Sequence, residues 1–484
     1  MHPLIILRIV CYLLLIVCAF MLTAVGMALF YREAAVIHSF AWPILTVAFG
    51  AVVFLWLTRA SGRGQPSFKD GFLFVVGGWG AVALLGALPF YLSGSIPSFC
   101  DAYFETISGF TTTGASILKD IEALPRALLY WRSLTHWLGG MGIVVLTVAI
   151  LPLLGVGGLQ LVKAEAPGPT VDKITPRIAE TAKYLWYIYL GLTVLQTLLL
   201  KFGGMDFFDA LTHTFATLAT GGFSTRNASV AYYDSAYIDW VITLFMVAAG
   251  MNFVLHFRLL TGDFRSLLRN TELKAYGLIF VGASLLVAGG LYFNQVYRSP
   301  IESLRFAAFQ VASILTTTGF ASADYESWPY MAQAIMLLLM FVGGCSGSTG
   351  GGVKVIRIVT LFKQAVNEMK FLIHPKAVFP LRFSGKVVRK NIVYAISGFF
   401  FLYIAMLLLV TFVVSLSGID LLSSLSAALA TLGNIGPGFG LVGPTDNYAH
   451  FPNAIKWVLS FAMLAGRLEL YTVVVLFMPT FWRR

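Results

Sequence analysis

The sequence predicts an all-α polytopic membrane protein: two N-terminal helices, then four parallel helix–pore loop–helix repeats in a pseudo-fourfold arrangement. Three observations predict it. Of 484 residues, 58% are hydrophobic and 11% charged, whereas soluble chains are nearer half apolar and a quarter charged. The apolar residues fall in runs of about 20, the length that crosses a hydrocarbon core of about 30 Å. Between paired runs lies a short stretch whose pattern recurs four times.

Taken in order, the runs predict ten spans, near residues 4–30, 42–58, 71–92, 127–154, 184–202, 237–257, 275–294, 331–362, 391–416 and 453–480. Arg8 precedes the first run, but that run exceeds the 7–15 apolar residues typical of a signal peptide, so it reads as a retained span. The linkers 58–70, 155–183, 256–274 and 354–390, with Arg8, Arg483 and Arg484, hold 23 of the 33 basic residues. By the positive-inside bias, these linkers and both termini are cytoplasmic. The net charge of +11 is dispersed in this way and forms no patch for nucleic-acid phosphates. Every linker is too short for a soluble domain. Cys11, Cys18, Cys100 and Cys345 show no metal-ligand spacing and imply no disulfide.

The recurring stretches are Ser98 to Gly114, Asp206 to Gly222, Ser303 to Gly319 and Asp420 to Gly436. Each begins with a helix-capping residue sixteen positions before its final glycine. Each places a small residue four positions after the cap: Ala102, Ala210, Ala307 and Ser424. One copy alone would read as an interfacial or re-entrant scaffold; four copies in matched positions read as one structural unit repeated. All dip in from the outside, so the units are parallel about an axis along the membrane normal, unlike the inverted repeats common in carriers. The division expected is a 1–70 extension followed by repeats at 71–183, 184–274, 275–390 and 391–484.

The tips read Thr111-Thr112-Thr113-Gly114, Ala219-Thr220-Gly221-Gly222, Thr316-Thr317-Thr318-Gly319 and Gly433-Asn434-Ile435-Gly436. They carry no lysine or arginine. Glycine lets an extended chain turn its carbonyls inward, and such carbonyls can replace the water shell of a cation. Helix C-termini directed at the same place add partial negative charge.

With these tips, the chain resembles the Trk/Ktr/HKT superfamily of cation transporters over essentially its full length. It is most similar to the bacterial TrkH/TrkG branch, which has two extra helices before four pore units. The resemblance implies potassium uptake across the bacterial inner membrane and a filter in which potassium is the permeant ion. That filter would comprise Thr112, Thr113 and Gly114; Thr220, Gly221 and Gly222; Thr317, Thr318 and Gly319; and Asn434, Ile435 and Gly436. Glycine in all four units implies potassium preference, since relatives with serine in the first unit tend towards sodium. One aligned glycine per unit, against the T-V-G-Y-G of tetrameric channels, implies weaker discrimination. The resemblance further implies a homodimer, a cytosolic nucleotide-binding regulatory subunit of the TrkA type, and no organic cofactor on this chain.

Two features interrupt the spans. Gly343-Gly344-Cys345-Ser346-Gly347-Ser348-Thr349-Gly350-Gly351-Gly352 breaks the eighth at membrane depth, where freed backbone groups need protein or a cavity. It contains neither a phosphate-binding Gly-Lys-Ser/Thr nor a Gly-x-Ser-x-Gly elbow. A structural kink is the plain reading; the resemblance implies a movable gate under the filter. Arg467 falls within the tenth span, at a cost of about 2.5–3.5 kcal/mol unless it faces the bundle interior or water. A structural ion pair is the plain reading, and Glu469, two residues on, is badly placed for one. The resemblance implies an arginine directed at the pore beside the loop. His136, His213 and His256 are isolated in sequence and suggest no metal site, while Asp101 and Asp209 read as helix-capping residues, with attraction of cations at the mouth as the second reading. No paired carboxylates or nucleophile constellation suggests an enzyme. The alternative is a sodium- or proton-coupled symporter, for which Glu469 is the clear acidic candidate.

Overall fold

A computed structural model describes residues 2–59, 67–140, 142, 178–388 and 390–483. The inner part of the fourth predicted span, with most of the linker that follows it, lies outside the described residues. The rest is helical apart from turns and a two-residue antiparallel ribbon, Arg382–Phe383 with Lys386–Val387, in the last basic linker.

The N-terminal helices Pro3–Phe30 and Ala34–Leu57 pack as a hairpin around a tight turn at Arg32, which has φ +60°. The second starts eight residues before the predicted 42, because Ala34, Ala35, Val36 and Ile37 continue the helix. The third helix, Phe68–Leu92, opens with a capping box: Ser67 accepts from the Asp70 amide at 3.2 Å, and Asp70 accepts from the Ser67 amide at 2.9 Å. The helix is apolar all round, so its burial is decided by neighbours. Glu33 in the first turn reaches the start of the helix Arg126–Gly140, its carboxylate accepting from the amides of Arg126 (2.7 Å) and Ala127 (2.9 Å). The extension is thereby fastened to the first repeat.

Six described helices are long and apolar enough to span a bilayer, or up to eight if two bent pairs each count as one span. Large apolar side chains such as Phe49, Leu278, Phe293 and Phe401 are exposed on them. Water would penalise such a surface; lipid does not. The chain is a multi-pass membrane protein.

Inside this shell stand four short pore helices: Phe99–Phe110, Phe207–Leu218, Pro300–Leu315 and Leu421–Leu432. Ser98, Asp206 and Asp420 cap theirs as predicted. The third differs. It begins four residues early, capped by Ser299 with Pro300 in its first turn, while Ser303 is buried within the helix. Proline is preorganised for a first helical turn, so Ser299-Pro300 outcompetes Ser303 as the start. The small residues Ala102, Ala210, Ala307 and Ser424 are fully buried.

Of the helices that follow the pore loops, the sixth and tenth are not the continuous spans predicted, whereas the eighth breaks at the glycine run as expected. Ala236–Ala249 breaks at Gly250-Met251-Asn252 and turns by 102° into Phe253–Leu260. Tyr330–Leu339 gives way to the glycine-rich loop before Val355–Ile373. Asn453–Arg467 ends at Arg467, and the chain bends by 114° through Glu469 (φ +58°) and Leu470 (φ +52°). Arg467 therefore sits at a helix end rather than in the middle of a span.

Candidate functional site

Each pore helix ends in the same way. Thr112, Thr220, Thr317 and Asn434 adopt φ of +53°, +56°, +59° and +52°. The next amide reaches back five residues, Thr113 to Ser108, Gly221 to Ala216, Thr318 to Ser313 and Ile435 to Ala430, at 2.8–2.9 Å. This is a Schellman termination, which stops the helix and turns the chain into an extended tip. Two residues later Gly114, Gly222, Gly319 and Gly436 again take positive φ, at +80°, +79°, +85° and +95°.

The four tips close into a ring in chain order. A Cβ placed on Gly114 would stand 2.1 Å from the Gly221 carbonyl oxygen, and one on Gly222 would stand 2.2 Å from that of Thr318. One on Gly319 would stand 2.2 Å from the Ile435 carbonyl, and one on Gly436 would stand 2.6 Å from that of Thr113. Unit one abuts two, two abuts three, three abuts four, and four returns to one. Any side chain here would collide with a neighbour's backbone and would also carry the wrong φ. All four glycines line a single outer cavity. Arg132 and Arg226, which also line it, are each held by a carboxylate: Glu105 at 2.6 Å and Asp209 at 2.8 Å.

Behind the ring, buried polar side chains brace the extended segments leaving it. Glu105 accepts from the Ser116 hydroxyl and the Ile117 amide, both at 2.9 Å, while its partner Arg132 donates to the Ser224 carbonyl of the second unit. His213 bonds Ser224, and Gln310 donates to the Ala323 carbonyl. Glu105, His213 and Gln310 each lie nine residues before the ring glycine of their unit, a register present in the sequence. Asp101 and Asp209 do more than lie near helix starts: Lys456 pairs with Asp101 at 2.6 Å, and Asp209 binds Thr225, Arg226 and Tyr233. His136 is fully buried beside Gly221, its ring 4.0 Å from that of Phe223.

On the inner side the glycine-rich loop runs directly beneath the pore helices. Its entry and exit pair with each other, Gly343 donating to Val353 (2.9 Å) and Val355 to Gly344 (3.2 Å). Gly351 donates to the Thr317 hydroxyl at 2.6 Å, and Thr349 donates to the Leu218 carbonyl at 2.9 Å. The Cβ position of Gly350 is 3.0 Å from the Thr316 carbonyl, and that of Gly351 is 2.6 Å from the Gly433 carbonyl. The loop thus touches the bases of units two, three and four. Cys345 donates its amide to the Gly250 carbonyl, and Gly347 accepts from the Phe253 amide, so the loop is also seated on the broken sixth span. Ser348 caps the turn by bonding the Cys345 carbonyl, and Lys354 reaches the Gly350 carbonyl. Gly352 takes φ +63° where the loop turns back.

Arg467, Glu272 and Lys354 bond this loop, and the sequence alone did not point to the last two. Arg467 donates to the Thr349 carbonyl (2.6 Å) and to the carbonyls of Gly139 (2.6 Å) and Gly140 (3.1 Å). It spans from the fourth repeat to the loop and the first repeat. Glu272 accepts from the amides of Ser346 (2.7 Å) and Ile356 (3.1 Å), clasping both ends of the loop. Arg357, just past the loop, pairs with Glu469. The signal for Glu272 was a carboxylate at the inner end of an apolar run; only its partners reveal its use.

A profile of the cation transport protein family TrkH matches residues 35–484. The chain belongs to this family. It is 43% identical over 486 residues, covering both chains fully, to the Trk system potassium uptake protein TrkH of Escherichia coli K12. With TrkG of the same organism the identity is 35% over 466 residues, covering 96% of this chain and 95% of the other. The crystal structure of the potassium transporter TrkH from Vibrio parahaemolyticus superposes with a TM-score of 0.89 at 39% identity, covering both chains completely. As a TrkH family member, this protein is a cation transporter rather than an enzyme.

Proposed function

We propose that this chain takes up potassium across the bacterial inner membrane through a gated, channel-like pore. The filter is the ring formed by Thr112–Gly114, Thr220–Gly222, Thr317–Gly319 and Asn434–Gly436, and the inner gate is residues 343–352 with Arg467. The carrying observation is that each filter glycine abuts a carbonyl of the next unit around a closed circuit. A dehydrated cation on that axis meets backbone oxygens from four units and the negative ends of four helices. Its relatives are named as potassium uptake proteins, and glycine at all four positions fits the same ion.

The reading divides the chain at 1–70, 71–183, 184–274, 275–390 and 391–484. It places both termini in the cytoplasm, where the basic linkers offer a docking surface for a TrkA-type nucleotide-binding subunit on a homodimer. The coupled-carrier alternative loses support: Glu469 is engaged by Arg357, and Glu272 by two backbone amides. Uptake of rubidium and sodium into liposomes carrying the full chain, with Gly319→Ser alongside, tests the proposal. Rubidium uptake above sodium, with the gap narrowed in the variant, is expected. Flux that requires an imposed sodium or proton gradient would overturn it.

A further inference from the structure

Among the four ring glycines, the carbonyl of one is hydrogen-bonded differently from the rest. The Tyr448 hydroxyl donates to the Gly436 carbonyl at 2.7 Å, whereas among the described residues no donor is recorded for the carbonyls of Gly114, Gly222 and Gly319. Tyr448 is 2% exposed and packed against Phe104 and Phe451, so its ring is held in place. Its own amide donates to the Ser116 carbonyl at 2.8 Å, tying the fourth unit to the first.

This is also where the circuit is loosest. The Cβ-to-carbonyl approach is 2.6 Å from unit four to unit one, against 2.1–2.2 Å at the other three seams. Pro437 follows Gly436 and has no amide with which to anchor the outgoing strand. Side chains do that work instead. Asn434 donates to the Thr113 hydroxyl at 3.0 Å below the ring, Tyr448 acts at its level, and Tyr325 donates to the Gly438 carbonyl at 2.7 Å above it.

We propose that Tyr448 is a positioning residue that sets cation specificity by restraining and weakening the Gly436 carbonyl as a ligand. The inference rests on the filter reading above. A carbonyl that already accepts a hydroxyl proton has one lone pair engaged and less negative potential for an ion. It also cannot move inward. A smaller cation needs closer and stronger ligands, and discrimination depends on the number and field strength of the carbonyls. A ring with three free carbonyls and one restrained one therefore favours the larger ion. Releasing the fourth moves the balance towards sodium.

The test is equilibrium binding of radiolabelled rubidium to the purified full-length protein, displaced by sodium, which needs no open gate. Wild type, Gly114→Ser, Tyr448→Phe and a protein with a fluorinated, more acidic tyrosine at 448 are compared. Tyr448→Phe should lower the rubidium-to-sodium affinity ratio threefold or more. The fluorinated ring, a stronger donor of nearly the same shape, should raise it. A purely structural tyrosine would not give opposite signs. If wild type prefers rubidium and Gly114→Ser removes that preference, but both changes at 448 leave the ratio unchanged, the role of Tyr448 is overturned and the filter stands. If wild type shows no rubidium preference, or Gly114→Ser has no effect, the filter reading fails and this inference with it.

Discussion

Thr112, Thr220 and Thr317 hold a backbone conformation that branched residues avoid, at a cost of about 1–3 kcal/mol each. Glycine would be relaxed there, but it would bring no hydroxyl. Thr317 uses its hydroxyl to accept the Gly351 amide, and Thr220 directs its hydroxyl at that of Thr349, 3.4 Å away. Thr220 and Thr317 therefore connect their tips to the loop, while the Thr112 hydroxyl is buried without a recorded partner among the described residues. Two residues further along, the demand reverses. Gly222→Ala would set a methyl 2.2 Å from the Thr318 carbonyl at φ +79°, and rubidium uptake should fall at least about tenfold, as one 1.4 kcal/mol distortion would suffice. Deeper in the wall, Glu105 and Arg132 are both buried. Removing one member of such a pair strands the other, so Glu105→Ala should destabilise the protein by about 3–5 kcal/mol, read as a lowered melting temperature in detergent.

The glycine-rich loop is held chiefly by hydrogen bonds, most of them to backbone, so removing a side-chain partner should loosen it. Arg467→Ala removes the bridge from Thr349 to Gly139 and Gly140. Hydrogen bonds to a charged group contribute about 1.5–3 kcal/mol each, so resting rubidium flux should rise about tenfold or more. Unchanged flux would remove Arg467 from the gate. Glu272 offers a different readout: Glu272→Ala leaves the amides of Ser346 and Ile356 without their acceptor. Amide exchange across residues 345–357 should then accelerate while exchange in the pore helices stays slow.

Across the whole molecule, the N-terminal extension is a clamp as well as a lipid-facing surface. Glu33 supplies the acceptor for the first amides of the helix Arg126–Gly140, which has no side-chain cap of its own recorded. Glu33→Ala should cost about 1–2 kcal/mol, the scale of a lost helix cap, and leave the rubidium-to-sodium preference intact. A changed preference would mean that the extension reaches the filter.

The membrane class, the number of repeats, three of the four caps and the four tip glycines that adopt positive φ were all legible in the sequence. They follow from local rules: apolar length, capping chemistry and the backbone freedom of glycine. The third cap was misassigned because Ser303 and Ser299 are both competent, and the register of one unit does not choose between them. Span continuity was also misjudged at Gly250-Met251-Asn252 and at Arg467. Each segment is apolar enough to continue; at the first the Gly250 carbonyl accepts from the Cys345 amide of the loop, and at the second the Arg467 side chain donates to the Thr349 carbonyl, partners brought close only by folding. The partners of Glu272 and Arg467 lie 74 to 328 residues away in other repeats, and Tyr448 bonds both Gly436 in its own repeat and Ser116 in the first. A chain pattern records which residues can donate or accept. Which of them meet is decided by closing four units into one ring, and that was settled only in three dimensions.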